Sequence, residues 1–399
     1  MPTAPGPAHG LAPDLAHERD GPPRRDRPGT IGPRHVALVA SFDRSLVNFR
    51  GPLIRALRAR GVRVSALAPD VSAGVRAELQ ALGVEVVEYP LARTGTDPFA
   101  DLRSYRALLR AFRRLQPDAV LAYTAKPIIY GALAAARAGV PSVNALVTGV
   151  GNAASAAGPL GVLVRRLYRL ALSRARCVVF QNPDDRDEFV AGGLVAAART
   201  TVVDGSGVDT RHYAVVPLPA DARFLLLGRL LAEKGIREYV AAARLLRGRG
   251  VVASFALAGW QDDHRGAITD GELVAWQAEG VVDYLGPLDD PRPAFADCSV
   301  YVLPSYREGT PRTVLEAMSM GRAIVTTDAP GCRETVAEGE NGMKVPVRDV
   351  GALADAMQRL AGDAALRARM GAASRARVEA RYAVERVNLQ MLEALGVGG

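Results

Sequence analysis

The chain has 399 residues, 49% of them hydrophobic, and a mean hydropathy of +0.05; that is too long for one ordinary core and fits a soluble protein of two domains. Its net charge of +8 is uneven, with 27 Lys/Arg against 16 Asp/Glu in residues 1–200 and 23 against 26 in residues 201–399. A basic first half suits an anionic partner or reflects a general preference for arginine, but with no Cys/His finger and no aromatic RNP-type motif, nucleic acid is excluded as the expected partner.

Residues 1–33 are rich in Pro, Gly, Arg and Asp and lack an apolar stretch, so they read as a disordered tail and not as a secretory signal. Short apolar strands then alternate with amphipathic helices. Strands are predicted over 35–42, 64–68, 84–89, 120–123, 142–147, 178–181 and 201–203, and a helix over 46–60 ended by Gly61. A helix over 98–115 carries an apolar stripe at Leu102, Tyr105, Leu109 and Phe112, interleaved with arginines. Another over 160–176 sets Leu163, Leu167 and Leu170 beside Arg165, Arg166 and Arg169. Such helices lie on an anionic bilayer, or pack their stripe on a sheet and leave the arginines in water. The uncharged stretch 138–164 is rejected as a membrane span because glycines, two prolines, Asn144 and Asn152 interrupt it.

Gly205-Ser206-Gly207-Val208-Asp209 marks a hinge, after which a second alternation places strands at 224–227, 255–258, 284–285, 300–303, 323–326 and 344–347. Apolar runs alternating with helices imply parallel sheets covered on both faces. The division is residues 34–206, residues 207–379, and a last segment 380–399 whose helix (384–395) returns toward the first domain. In open parallel sheets ligands bind beyond the carboxyl ends of the strands, so two such domains facing each other make a cleft.

Two segments of the second half carry chemistry. Gly228-Arg229-Leu-Leu-Ala-Glu233-Lys234-Gly235 directly follows that half's first strand. Arg229 can grip phosphate oxygens with its planar fork and Lys234 acts as a point charge, unless both are merely surface cations. In Ser305-Tyr-Arg-Glu308-Gly309-Thr310-Pro311-Arg312-Thr-Val-Leu-Glu316, Thr310 suits an N-cap and Pro311 the first helical position. Glu308 then stands in the loop before a helix and Glu316 inside it, among Val314, Leu315, Ala317 and Met318. The unpaired N–H groups at the helix start favour an anion, and the carboxylates favour hydroxyls. By spacing alone the two glutamates are as readily a solvated loop residue and a surface position. No metal site is expected. The histidines, His9, His17, His35, His212 and His264, are scattered, Asp262-Asp263 and Asp289-Asp290 read as solvated loop pairs, and Cys177, Cys298 and Cys332 read as small core residues in a reducing compartment.

The Gly228–Gly235 segment and the run from Tyr301 through Gly321-Arg-Ala-Ile-Val-Thr-Thr-Asp-Ala-Pro-Gly331-Cys-Arg-Glu334 to Gly342 closely resemble the donor-binding half of family-4 retaining glycosyltransferases. In the first half, Asn48-Phe-Arg50-Gly51, Tyr123-Thr-Ala-Lys126-Pro127, Thr148-Gly-Val-Gly151-Asn152 and Phe180-Gln-Asn-Pro-Asp184-Asp185 resemble the bacterial branch that extends glycans on a polyprenyl diphosphate. The resemblance implies an α/β, GT-B architecture: two doubly wound Rossmann-like domains facing a cleft. It implies a nucleotide-diphosphate sugar donor, a UDP-sugar by family preference, a glycan or lipid-linked acceptor, retention of configuration, and neither metal nor cofactor. Arg229 and Lys234 would hold the diphosphate, Glu308 would orient the sugar, and Glu316 would hold the ribose. Gly51, Gly309, Thr310 and Pro311 would complete the donor site, while Asn48, Arg50, Lys126 and Thr148 would contact the acceptor. Thr148 stands where many relatives place a histidine, so the leaving diphosphate itself would accept the acceptor's proton. The chain would work in the cytoplasm, at the inner face of the membrane if the basic helices bind it. A nucleotide-sugar epimerase on the same scaffold is the alternative.

Overall fold

The computed structural model describes residues 32–92, 95, 97–149, 158–261 and 266–398. Residues 1–31 of the expected tail, Gly151 and Asn152, and Asp262, Asp263 and His264 lie outside the described residues. Seven parallel strands form the first sheet: β1 (His35–Val39), β2 (Arg63–Ala68), β3 (Glu85–Glu88), β4 (Ala119–Tyr123), β5 (Ser142–Val147), β6 (Cys177–Phe180) and β7 (Thr200–Val202). Their order is β3-β2-β1-β4-β5-β6-β7. Six more form the second: β8 (Arg223–Leu227), β9 (Ser254–Ala258), β10 (Asp283–Tyr284), β11 (Val300–Leu303), β12 (Ala323–Thr327) and β13 (Gly342–Val345), in the order β10-β9-β8-β11-β12-β13. The first six strands of each sheet therefore share one winding, with the reversal of strand order between β1 and β4 in one and between β8 and β11 in the other.

The central strands, such as β1, β4, β8 and β11, are apolar runs because helices cover both faces of each sheet, whereas β3, β7 and β10 are partly polar. In the first half, Leu53, Ile54, Leu57, Val75 and Leu79 cover one face and Leu108, Ala111 and Phe112 the other. The final helix, Val384–Leu395, adds Met391, Leu392 and Leu395 to the core of the first sheet. The chain thus crosses between sheets twice, and the two crossings touch: Val208 N donates to Tyr382 O (2.9 Å) and Val384 N to Val208 O (3.0 Å). A β-carbon on Gly207 would lie 2.7 Å from Val384 Cα, so only glycine fits this crossing. The irregular linker that follows has carbonyls to satisfy, and arginines from the second half do so. Arg322 donates to Val216 O (3.2 Å), Arg367 to Ala220 O (2.9 Å) and Arg375 to Thr210 O (3.0 Å).

Three local expectations need correction. The helix expected over 46–60 is two helices, Arg44–Asn48 and Gly51–Ala59. Pro52 is the cause: in a continuous helix it lacks the N–H that would bond Asn48 O, and its ring would clash with that carbonyl. In the helix Pro98–Leu115 the buried face is Ser104, Leu108, Ala111, Phe112 and Leu115, while Leu102 is exposed and Tyr105 and Leu109 are half-buried. The last strand begins at Gly342, two residues before its expected start, since a β-carbon there would meet Ile324 O at 2.2 Å and glycine alone can pair so closely.

Candidate active site

Where strand order reverses, the loops leaving the two central strands turn to opposite faces and open a crevice. In the second sheet those loops follow β8 and β11, and they carry the residues singled out by sequence. After β8, a short turn, Ala232–Lys234, ends at Gly235 in the left-handed region (φ +71°). A β-carbon on Gly235 would lie 2.2 Å from Pro304 O, so this turn is seated on the end of β11. Tyr306 N donates to Glu233 O (2.9 Å), fastening the two loops together. Lys234 Nζ pairs with Glu308 Oε1, and Ser305 Oγ donates to the same oxygen (2.7 Å). Both partners of that pair are largely sheltered, each side chain being 14% exposed. Arg229, just beyond β8, is exposed.

The helix Arg312–Ser319 follows. Its N-cap is Pro311 and not Thr310, which corrects the expected cap and moves the helix start one residue on. Thr310 is used elsewhere: its hydroxyl donates to Gln181 O (2.8 Å), across the cleft on the first half. Glu316 is buried, and Arg312 Nε reaches it at 2.8 Å one turn away. Burial raises its carboxyl pKa, with Arg312 and a hydrogen bond from Tyr213 opposing the rise. Tyr301, on β11, donates to Leu227 O (2.8 Å). Its phenol is raised by burial and further by the charges of Glu316 and Glu308, so both carboxylates stand within electrostatic reach of one hydroxyl. Lys234 and Glu308 thus pair in the loops after β8 and β11, and Arg312, Glu316 and Tyr213 meet at the helix that follows.

The first half grips this loop from across the cleft. Gly309 sits so close to it that a β-carbon would lie 2.5 Å from Thr148 O and 2.7 Å from Gln181 Oε1. Asn182 Nδ2 donates to Gly309 O (2.8 Å) and Glu308 O (3.2 Å). Arg307 Nη2 donates to the buried Asp185 Oδ1 (2.5 Å) and to Glu188 Oε2 (2.6 Å). Thr148, expected on the acceptor, meets the loop through its backbone. The sequence singled out residues 180–185 but not that Asn182 and Asp185 hold the Glu308 loop. The available signal was Asn182 opening the helix Pro183–Ala191, where its own side chain accepts from Asp185 N (2.8 Å).

In the first sheet the loops after β1 and β4 flank the corresponding crevice. Asn48 is exposed, and its carbonyl, freed by Pro52, accepts from Arg312 of the second half. Lys126 Nζ donates to Asp101 Oδ1 (2.8 Å) and Tyr130 OH to Asp101 Oδ2 (2.7 Å), so the charge of Lys126 is already matched. Gly51 is buried and opens the helix Gly51–Ala59, with Arg50 as its N-cap residue. Arg50 is 3% exposed and stacks its guanidinium over Tyr123, 5.1 Å from the ring centre. Burial lowers its pKa to about 10.

Residues 49–205 match the glycosyl transferase 4-like domain, and residues 221–363 match glycosyl transferases group 1. The chain belongs to this glycosyltransferase family. The enzyme is similar to the N,N'-diacetylbacillosaminyl-diphospho-undecaprenol alpha-1,3-N-acetylgalactosaminyltransferase of Campylobacter jejuni, 27% identical over 350 residues that span 83% of this chain and 90% of the relative. Among solved structures it resembles Anabaena Alr3699/HepE in complex with UDP (TM-score 0.73, 18% identical, 91% of this chain and 99% of that one). It also resembles sucrose-phosphate synthase from Thermosynechococcus elongatus (TM-score 0.75, 20% identical, 90% and 98%). The architecture is GT-B. Among its described residues this glycosyltransferase has no group of three His, Cys, Asp or Glu side chains that could hold a metal ion. His35 is structural, bonded to Ser65 Oγ and Arg63 Nη2 (both 2.8 Å), and Asp290 is spent on Arg292 (2.7 Å).

Proposed function

We propose that this glycosyltransferase moves a hexose or N-acetylhexosamine from a UDP-sugar to a glycan carried on a polyprenyl diphosphate, with retention of anomeric configuration and without a metal ion. The observation that carries the reading is the crevice between β8 and β11, where a sheltered Lys234–Glu308 pair lies beside a buried, arginine-bonded Glu316. A cation and an acid bound to each other are what a ligand with both a diphosphate and hydroxyls would separate. The diphosphate takes Lys234, and Glu308, released, accepts from sugar hydroxyls. Glu316 accepts from the ribose. Arg229 adds a second cation at the diphosphate, and the amides of Gly309, Thr310 and Arg312 present N–H groups beside it, while Pro311 offers none. Charge grows on the diphosphate as the anomeric bond breaks, so cations fixed there lower the barrier. The leaving diphosphate then accepts the acceptor's proton on the same face, and no side-chain base is needed where Thr148 stands.

The polyprenyl-diphosphate acceptor rests on the Campylobacter relative, and the uridine donor on the neighbour solved with UDP. No helix among the described residues is long and apolar enough to cross a membrane. Phe99 (79% exposed), Leu102, Val162 and Leu163 stand out from the two basic helices of the first half, and an anionic membrane surface is the partner that suits them. An epimerase would need separate acid and base groups at the sugar, and no observation favours that reading. The test is to incubate the enzyme with a UDP-N-acetylhexosamine and a short-chain polyprenyl-diphosphate glycan, with a chelator present, and read the product by NMR. An α-linked product from an α-linked donor is expected. An inverted linkage, activity only with added divalent metal, or a donor epimerised without acceptor would each overturn the corresponding part of the reading.

A further inference from the structure

Arg348 lies in the loop after β13 and is one of four non-glycine residues with a positive φ among the described residues, at 64°. It is the third residue of a turn, 346–349, closed by Asp349 N donating to Pro346 O (3.3 Å). A positive φ favours glycine there, so an arginine at this position costs backbone strain. Its guanidinium stacks over the ring of Tyr306, 4.4 Å from the ring centre. Tyr306 belongs to the loop after β11, two residues before Glu308. Its hydroxyl donates to Glu238 Oε1 (2.6 Å), in the first turn of the helix Ile236–Gly248, which opens directly after Gly235. Glu238 Oε2 is buried without a hydrogen-bond partner, which leaves the Tyr306 phenol as the side-chain donor to this carboxylate among the described residues.

Tyr306 therefore joins the two segments that carry the Lys234–Glu308 pair. Its N–H donates to Glu233 O (2.9 Å), the residue before Lys234, and its hydroxyl holds the helix that begins two residues after Lys234. Arg348 closes over the face of the ring from a third loop. A lysine and a glutamate on separate loops meet only while those loops keep their spacing, and small misplacements of a reacting constellation cost much of its rate. We infer that Tyr306 is a positioning residue for the Lys234–Glu308 pair, with Arg348 as the clamp that orients its ring. Strain at Arg348 is then the cost of reaching that ring from β13. The inference rests on the proposed reaction only for the part the pair plays in turnover.

Two measurements on the full chain test it: hydrogen exchange on peptides covering residues 305–309, and turnover in a double-mutant cycle. Tyr306→Phe keeps the ring and deletes the bond to Glu238. Exchange across 305–309 should rise by about tenfold and kcat should fall by about tenfold, with donor KM within about threefold of wild type. Arg348→Gly suits the backbone of its turn, so the melting temperature should hold within about 2 °C while exchange across 305–309 still rises. A lower melting temperature with unchanged exchange would make Arg348 merely structural and overturn the clamp. In Lys234→Ala, adding Tyr306→Phe should change kcat by less than about twofold, since the pair through which it acts is already gone. A tenfold loss in both backgrounds, or unchanged exchange in Tyr306→Phe, overturns the inference. If Lys234→Ala alone leaves turnover unchanged, the proposed role of the pair fails. The placement of the loop is then decided by exchange, a rise in Tyr306→Phe upholding it and no change overturning it.

Discussion

The two crevices of this enzyme have the same winding and opposite electrostatics. Between β8 and β11, Lys234 is answered by Glu308 and Glu316 by Arg312. Between β1 and β4, Lys126 is answered by Asp101, whereas Arg50 lies over the Tyr123 ring with no carboxylate partner among the described residues. A self-paired crevice is stable when empty and must exchange partners to bind, so its ligand has to offer both an anion and hydroxyl donors.

The largest effect expected from breaking this contrast is in the self-paired crevice. Lys234→Ala removes the cation proposed to meet the growing charge of the leaving group and leaves Glu308 with its hydrogen bond from Ser305 alone. Turnover should fall by about 10²–10³-fold, measured as kcat at saturating donor. A fall confined to KM would mean that Lys234 binds the ground state alone.

A smaller effect is expected from the clasp that holds the Glu308 loop from the first half. Asn182→Ala deletes the donor to the Glu308 and Gly309 carbonyls while leaving Lys234, Glu308 and Glu316 intact. Such a change acts through position, so kcat should drop by about tenfold with UDP affinity nearly unchanged. Equal losses in both would show that Asn182 does more than place the loop.

The smallest effect concerns pH. Burial raises the Glu316 carboxyl above its ordinary range. Ribose hydroxyls would donate more strongly to the ionised form, so UDP is expected to bind best above that raised pKa and more weakly as pH falls through it. Glu316→Gln should bind UDP less tightly at neutral pH and lose the decline on acidification. A decline that persists in Glu316→Gln would assign the titration to another group.

Much of the architecture was legible in the sequence, because most strands are short apolar runs bounded by turn residues and most covering helices repeat an apolar face. The residues of the second crevice were legible as well, since Lys234, Glu308 and Glu316 lie within short segments that follow strands. What the sequence hid were pairings made across long distances. Asp101 lies 25 residues from Lys126, and Asn182 more than a hundred from Gly309, and no local pattern links them. Thr310 looked like a cap because its chemistry suits one, but a carbonyl across the cleft claims its hydroxyl. Pro52 was visible, yet its consequence, a broken helix that sets Arg50 at an N-terminus, depends on what packs below it. The stacking of Arg50 over Tyr123 cannot be seen in the sequence either, because the two residues lie far apart in the chain.

The central claim is that the loops after β8 and β11 hold the donor by its diphosphate. The most direct measurement is calorimetric titration of wild type and Lys234→Ala with UDP and with uridine. UDP should lose about tenfold or more in affinity while uridine binds both proteins alike. Equal losses for UDP and uridine, or no loss for either, would contradict it.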